Sequence, residues 1–542
     1  MAYFNQHQSM ISKRYLTFFS KSKKKKPFST GQLIGLILGP LLFLLTLLFF
    51  HPQDLPWKGV YVLAITLWIA TWWITEAIPI AATSLLPIVL LPLGHILTPE
   101  QVSSEYGNDI IFLFLGGFIL AIAMERWNLH TRVALTIINL IGASTSKILL
   151  GFMVATGFLS MFVSNTAAVM IMIPIGLAII KEAHDLQEAN TNQTSIQKFE
   201  KSLVLAIGYA GTIGGLGTLI GTPPLIILKG QYMQHFGHEI SFAKWMIVGI
   251  PTVIVLLGIT WLYLRYVAFR HDLKYLPGGQ TLIKQKLDEL GKMKYEEKVV
   301  QTIFVLASLL WITREFLLKK WEVTSSVADG HLNRILSQPN VIKQIASSVI
   351  EELKQKHSKQ TEIKYDIKNT EKHRRIIDWE VAKELPWGVL ILFGGGLALA
   401  KGISESGLAK WLGEQLKSLN GVSPILIVIV ITIFVLFLTE VTSNTATATM
   451  ILPILATLSV AVGVHPLLLM APAAMAANCA YMLPVGTPPN AIIFGSGKIS
   501  IKQMASVGFW VNLISAIIII LVVYYIMPIV LGIDINQPLP LK

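Results

Sequence analysis

What most constrains this chain is the length of its apolar runs. "GQLIGLILGPLLFLLTLLFF" fills residues 31–50 without one charged side chain, and about 20 such residues cross a bilayer core. Further runs lie near 58–80, 81–94, 110–126, 147–181, 203–233, 245–268, 299–318, 387–402, 424–461, 466–497 and 507–531. Only 14% of the 542 residues are charged, against about a quarter in a soluble domain. A segment in lipid must satisfy its own backbone hydrogen bonds, so the runs are expected as helices. The chain reads as an all-α polytopic membrane protein of about 11 spans. Its single cysteine, Cys479, excludes a disulfide framework and a thiolate metal cluster.

A net charge of +13 raises the question of nucleic acid, but its placement argues for a membrane. Lys13, Arg14, Lys21 and Lys23 to Lys26 precede the first run; Arg265, Arg270, Lys274, Lys284, Lys286, Lys292 and Lys294 lie between the two halves. Such clusters mark cytoplasmic flanks, which sets the N-terminus and the 265–298 loop in the cytoplasm and the protein in the plasma membrane. No small-residue cleavage site follows a short apolar core, so no signal peptide is expected.

Polar triplets interrupt two of the runs. "FVSNTAAVMIMIP" begins at Phe162 and "VTSNTATATMILP" at Val441, so Ser164-Asn165-Thr166 and Pro174 recur as Ser443-Asn444-Thr445 and Pro453, 279 positions on. Each run is either one bent span or two half-helices on one face; polar residues and a proline at the midpoint favour a re-entrant hairpin. Gly117 in "FLGGFILAIAMERWNL" falls on Gly396 in "FGGGLALAKGISESGL" at the same offset, and these glycines read as packing. "LIGTPPL" (219–225) matches "PVGTPPN" (484–490) at an offset of 265, with the polar loop 181–201 taking up the 14-residue difference. Interrupted apolar segments at corresponding positions of two halves point to a transporter site.

The expected organisation is a basic tail (1–30), a first transmembrane helix (31–56), a first repeat (57–268) with hairpin 147–181 and broken helix 203–233, a cytoplasmic linker (269–298), a second repeat (299–535) with hairpin 424–461 and broken helix 466–497, and a C-terminal tail (536–542). The stretch 331–375 departs from the pattern. Val341, Ile342, Ile345, Val349 and Leu353 fall at helical spacing opposite charges, as in an amphipathic surface helix, yet parity and the positive-inside rule want a crossing there.

Neither motif pair holds an Asp, Glu, Lys or Arg. They offer hydroxyls, carboxamides and freed carbonyls for a hard cation, and helix N-termini for an anion. Gly-Thr-Pro-Pro is expected to break a helix in mid-membrane and leave carbonyls upstream free. A neutral site in which cations and an anion compensate each other suggests cation-coupled anion transport. One such triplet alone is commonly helix–helix packing, and one Gly-Thr-Pro-Pro a plain kink; the paired occurrence argues against both. Glu76 and Glu440 read equally as functional or as interfacial and structural carboxylates. No G-x-x-x-x-G-K-[ST], H-E-x-x-H or G-x-S-x-G occurs, which disfavours an ATP-driven pump or a hydrolase.

With these motifs, and with "WWITEAIPIAATSLLPIVLLP" (72–92) and "MLPVGTPPNAIIFGSG" (482–497), the chain resembles the divalent anion:sodium symporter family, and bacterial sodium/dicarboxylate symporters within it, over roughly 30–330 and 369–535. The resemblance implies a homodimer with inverted repeats, a scaffold and a moving transport domain working as an elevator. It implies C4-dicarboxylate substrates (succinate, fumarate, malate) imported with sodium, and no enzymatic activity. A first sodium site would use Ser160, Ser164, Asn165 and Gly221, and a second Thr439, Thr442, Asn444 and Gly486. Substrate carboxylates would meet Asn165 and Thr166, and Asn444 and Thr445, with Thr222, Thr487 and Pro488 nearby. Where the family has a hydrophobic scaffold helix, 331–367 is polar. Sodium-independent exchange, transport of citrate, sulfate or tartrate, or a receptor using 331–375 as its output domain are the alternatives.

Overall fold

The computed structural model describes residues 28–142, 144–185, 193–276, 278–313, 376–416 and 421–541; the polar stretch 331–375 and most of the 1–30 tail lie outside them. Among the described residues the regular structure is helical, apart from one isolated bridge between Ser144 and Tyr275. Among the described residues eight helices are long and apolar enough to cross a membrane, including Thr30–Phe49, Trp57–Thr75, Phe242–Ala268 and Ile501–Leu531. The run at 81–94 is divided instead into Ile80–Thr83 and Leu86–Leu93. Ser84 turns its hydroxyl onto Ile80 O at 2.7 Å and Pro87 opens the second piece. Eight helical residues reach only about 12 Å, well short of a bilayer core.

Eight helices carry the motifs, four in each half. In the first half they are α1 (Thr145–Ser160), α2 (Asn165–Asp185), α3 (Gln193–Gly214) and α4 (Pro223–Phe236). In the second they are α5 (Pro424–Leu438), α6 (Asn444–Ala461), α7 (Pro466–Asn478) and α8 (Pro488–Gly495). Each triplet opens a helix. Ser164 accepts from Ala167 N at 3.2 Å, and Ser443 is the N-cap of α6, the position where serine suits an extended backbone followed by orphan N–H groups.

The prolines of the two Gly-Thr-Pro-Pro motifs act differently from the sequence expectation. They do not end the upstream helix; they start the downstream one, as the first residues of α4 and α8 behind N-caps Thr222 and Thr487. A proline there loses nothing, because a first-turn N–H has no helical partner. What ends α3 is a run of glycines, Gly214 leading into a 3-10 turn at Gly215–Gly217. In the second half α7 ends at Asn478, where Cys479 leaves helical geometry.

The eight helices run so that the start of one break-flanking pair meets the end of the other. At one end Glu200 of α3 lies 2.5 Å from Lys498 just beyond α8, with His184 of α2 at 3.7 Å. At the other, Tyr232 in the last turn of α4 packs on His465, the N-cap of α7, whose N–H donates to Ile535 O at 2.9 Å. One hydrophobic cluster runs through α1 to α8 from both halves. A second joins Trp57–Thr75, Leu86–Leu93, Pro99–Tyr106, Trp387–Glu405 and Leu408–Leu416. The glycine pairs behave unequally. A methyl at Gly395 would overlap the Ser84 backbone and one at Gly396 the Thr449 side chain, whereas one at Gly116 or Gly117 would meet nothing. The packing reading therefore holds for the second pair alone.

Candidate functional site

The first triplet and the first break meet in an oxygen cluster. Ser160 Oγ, at the end of α1, lies 2.7 Å from Asn165 Oδ1 and 2.5 Å from Gly211 O. One hydroxyl proton serves two acceptors, so lone pairs outnumber protons. The Gly221 carbonyl borders the same space: a Cβ built at Gly215 would fall 2.6 Å from Asn165 Oδ1 and 3.2 Å from Gly221 O. Gly215 must therefore lack a side chain for this cluster to close.

The second half repeats it bond for bond. Thr439 Oγ1, just after α5, lies 2.7 Å from Asn444 Oδ1 and 2.7 Å from Ala477 O. The inward end of the Asn444 carboxamide sits 3.2 Å from Ala477 O and 3.3 Å from Gly486 O. With nitrogen inward it donates to these oxygens; with oxygen inward it completes a cluster of four. Gly211 and Ala477 belong to the last turns of α3 and α7, where carbonyls have no helical partner and the helix dipole is negative. The N-termini of α2 and α6, opened by Asn165 and Asn444, and those of α4 and α8, behind Thr222 and Thr487, begin at or next to the same residues, with N–H groups and positive dipole ends. Such a donor set fits a hard cation at each cluster and an anion between them.

Of the residues singled out in the sequence, the structure gathers Ser160, Asn165 and Gly221 at the first cluster and Thr439, Asn444 and Gly486 at the second. Thr222 and Thr487 cap α4 and α8 and are 1% and 4% exposed. Thr166 and Thr445 are half-buried at the second positions of α2 and α6. Two side chains turn elsewhere. Ser164 is exposed and spends its hydroxyl on the α2 cap, and Thr442 bonds Leu438 O at 2.8 Å and Thr447 Oγ1 at 2.6 Å. Pro488 is exposed at the start of α8.

Three participants escaped the sequence reading. Gly211 O and Ala477 O are main-chain atoms and leave no mark in a side-chain pattern. Asn478 is fully buried and sits between the clusters: its Oδ1 accepts from Thr222 Oγ1 at 2.6 Å and from Asn165 Nδ2 at 3.0 Å, and its Nδ2 donates to Thr212 O at 2.6 Å. A lone asparagine in an apolar run was the available signal.

The site is not free of carboxylates either. Glu440, between Thr439 and Thr442, is 3% exposed. Its oxygens accept from the N–H groups of Tyr481, Met482 and Leu483 at 2.7, 3.0 and 3.1 Å and from Asn512 Nδ2 at 2.7 Å. It braces the break between α7 and α8. Glu76, by contrast, is an exposed residue at the C-terminus of Trp57–Thr75.

A family model described as the sodium:sulfate symporter transmembrane region matches residues 31–532. The chain belongs to this family. It is thus a member of the divalent anion:sodium symporters. Among similar family members are the sodium-dependent dicarboxylate transporters SdcS of Staphylococcus aureus strains MRSA252 and COL, 94% and 93% identical over 542 residues and the full length of both chains. These symporter relatives are transporters and not enzymes.

Proposed function

We propose that the protein is a sodium-coupled secondary transporter that imports C4-dicarboxylates such as succinate, fumarate and malate across the plasma membrane. The observation that carries this reading is the paired arrangement of helix ends. Each half brings helix C-termini and hydroxyls around an oxygen cluster suited to sodium, and each starts two helices, with their free N–H groups, beside that cluster. A dianion has one carboxylate for each half. Sodium drawing Asn165 Oδ1 and Asn444 Oδ1 inward leaves the amide nitrogens and the first-turn N–H groups for the anion, with Thr166, Thr445, Thr222 and Thr487 beside them. The names of the similar SdcS proteins point to the same ion and substrate class.

In this reading α1–α2 and α5–α6 are re-entrant hairpins of two inverted repeats. The opposed ends of the α3–α4 and α7–α8 pairs support that relation. The cluster formed by α1 to α8 is the transport domain, and the cluster around Trp57–Thr75 and Trp387–Glu405 belongs to the scaffold of a homodimer, against which the transport domain moves as an elevator. The N-terminus is cytoplasmic.

The test is uptake of labelled succinate into proteoliposomes with an inward sodium gradient, with choline as the control. Asn165→Ala and Asn444→Ala should each remove most of the sodium-driven uptake, because orphaned buried partners cost about 1–3 kcal/mol apiece. Equal uptake in sodium and choline, or parental rates in either folded variant, would refute the reading. Succinate should also bind weakly without sodium, by the reciprocity of linked binding.

A further inference from the structure

The two oxygen clusters are separated by a single residue. Ala477 O belongs to the second cluster, 2.7 Å from Thr439 Oγ1. The next carbonyl, Asn478 O, lies 3.4 Å from the outward end of the Asn444 carboxamide, which donates to it when the Asn444 oxygen faces the cluster, while the Asn478 side chain points into the first half. There its oxygen holds Asn165 by the same carboxamide whose other end faces Ser160, and its nitrogen holds Thr212 O. Thr212 in turn follows Gly211, whose carbonyl belongs to the first cluster. In each half the last helical turn of a broken helix supplies one carbonyl to its own cluster, Gly211 O or Ala477 O, and the residues that follow, Thr212 and Asn478, bond each other; Asn478 alone also reaches a triplet asparagine.

We propose that Asn478 is the positioning residue through which the two sodium clusters sense each other's loading. Resting on the two-cluster reading above, the inference adds a route between the clusters. A cation at the second cluster draws in Ala477 O and orients Asn444 with its nitrogen toward Asn478 O. That fixes the main chain at 477–478 and with it the Asn478 carboxamide. Asn478 Oδ1 then holds Asn165 Nδ2, which keeps Asn165 Oδ1 turned toward Ser160 and Gly211 O. The first cluster is thereby preformed, and the entropy of orienting Asn165 is already spent when the next sodium arrives. The same contacts work in reverse, as linkage requires. The side-chain oxygen, side-chain nitrogen and main-chain carbonyl of Asn478 are all engaged beside one cluster or the other.

The experiment is a sodium titration of succinate uptake by full-length protein in proteoliposomes, with sodium-induced stabilisation of the same protein in detergent as a transport-independent readout. Parental protein should respond sigmoidally. Asn478→Ala should lose steepness in both readouts, falling to the shape of two independent sites, with half-saturating sodium raised about tenfold, the size of an ordinary allosteric coupling. Asn478→Ser keeps a small polar group in the cavity and carries the same test should the alanine variant not fold. Thr222→Val, which removes the hydroxyl donor to Asn478 Oδ1, should soften the steepness partway. A folded variant at 478 that stays as steep as the parent, with only its maximal rate reduced, would overturn the link and leave a structural role. Parental protein without sodium steepness would instead remove the two-cluster reading itself, and the link with it.

Discussion

The break between α3 and α4 and the break between α7 and α8 place the same kinds of oxygen at the same kinds of cluster, yet only the second is held by a carboxylate. In the first, Thr218 Oγ1 reaches out to Met161 O of the α1–α2 turn at 2.5 Å, and Trp245 Nε1 bonds Leu216 O at 3.2 Å. Backbone lies against backbone there, since a Cβ at Gly214 would overlap the Gly157 main chain. In the second, one acceptor reaches N–H groups, with Glu440 taking three consecutive main-chain donors. The position equivalent to Glu440 in the first half, 279 residues earlier, is Met161. Both breaks leave orphan carbonyls met by side-chain donors, since in the second Asn490 Nδ2 bonds Ala480 O at 3.1 Å and Leu483 O at 3.0 Å; the second also turns three N–H groups onto one carboxylate. The ligands recur between the halves while the braces do not.

The comparison can be broken most directly at Glu440. Glu440→Gln turns an amide NH2 toward Leu483 N–H while Met482 N–H keeps the remaining oxygen, and orphaning that donor costs about 1–3 kcal/mol. Thermal unfolding of the solubilised protein should show this, together with loss of most uptake. Met161→Leu at the equivalent position should cost less than about 1.5 kcal/mol. Equal costs at the two positions would mean that the braces are not different in kind.

The next effect is at Gly214. The main-chain contacts of the breaks, Gly211 with Ser160 and Ala477 with Thr439, match at an offset of 266, which sets Ala480 opposite Gly214. The second half tolerates a methyl where the first cannot. Gly214→Ala should destabilise by about 3 kcal/mol, as overpacking against an immovable backbone does, and raise the sodium needed for uptake. A stable, fully active Gly214→Ala would show that α1 and α3 can separate.

Smaller differences follow from the flanking glycines and from Thr218. Gly395→Ala should lower stability by about 1–3 kcal/mol, while Gly116→Ala, its counterpart 279 residues earlier with open space at the Cβ, should be neutral or gain up to about 1 kcal/mol from helix propensity. Thr218→Val removes one hydroxyl donor from a buried carbonyl and should cost about 1 kcal/mol. Melting curves of the three variants side by side decide whether the asymmetry of the halves extends beyond the breaks. Gly116→Ala as costly as Gly395→Ala would contradict it.

Much of this was legible in the residues. Apolar runs without charges can only be helices in lipid, and the paired Ser-Asn-Thr and Gly-Thr-Pro-Pro motifs marked where new helices start, because N-caps and first-turn prolines carry local signatures. Asn165 and Asn444 stand in the repeated triplets themselves, whereas Ser160 and Thr439 were pointed to only by the resemblance to the family. The 14-residue shift between motifs was legible only as a total. The structure assigns one of those residues to the break itself, ten positions from Gly211 to Gly221 against nine from Ala477 to Gly486.

The sequence by itself determined that this chain is a multi-pass helical protein with two matching interruptions, and which hydroxyls and carboxamides stand at them. Only the tertiary structure decided that Gly211 O and Ala477 O join those side chains, that Ser164 and Thr442 turn away, that Glu440 is a brace, and that Asn478 stands between the clusters. The reason is physical. A main-chain carbonyl becomes a ligand by being left unpaired at a helix end and then met by a distant segment, and contacts such as 165 to 478 span 313 positions, a separation over which no local spacing carries information.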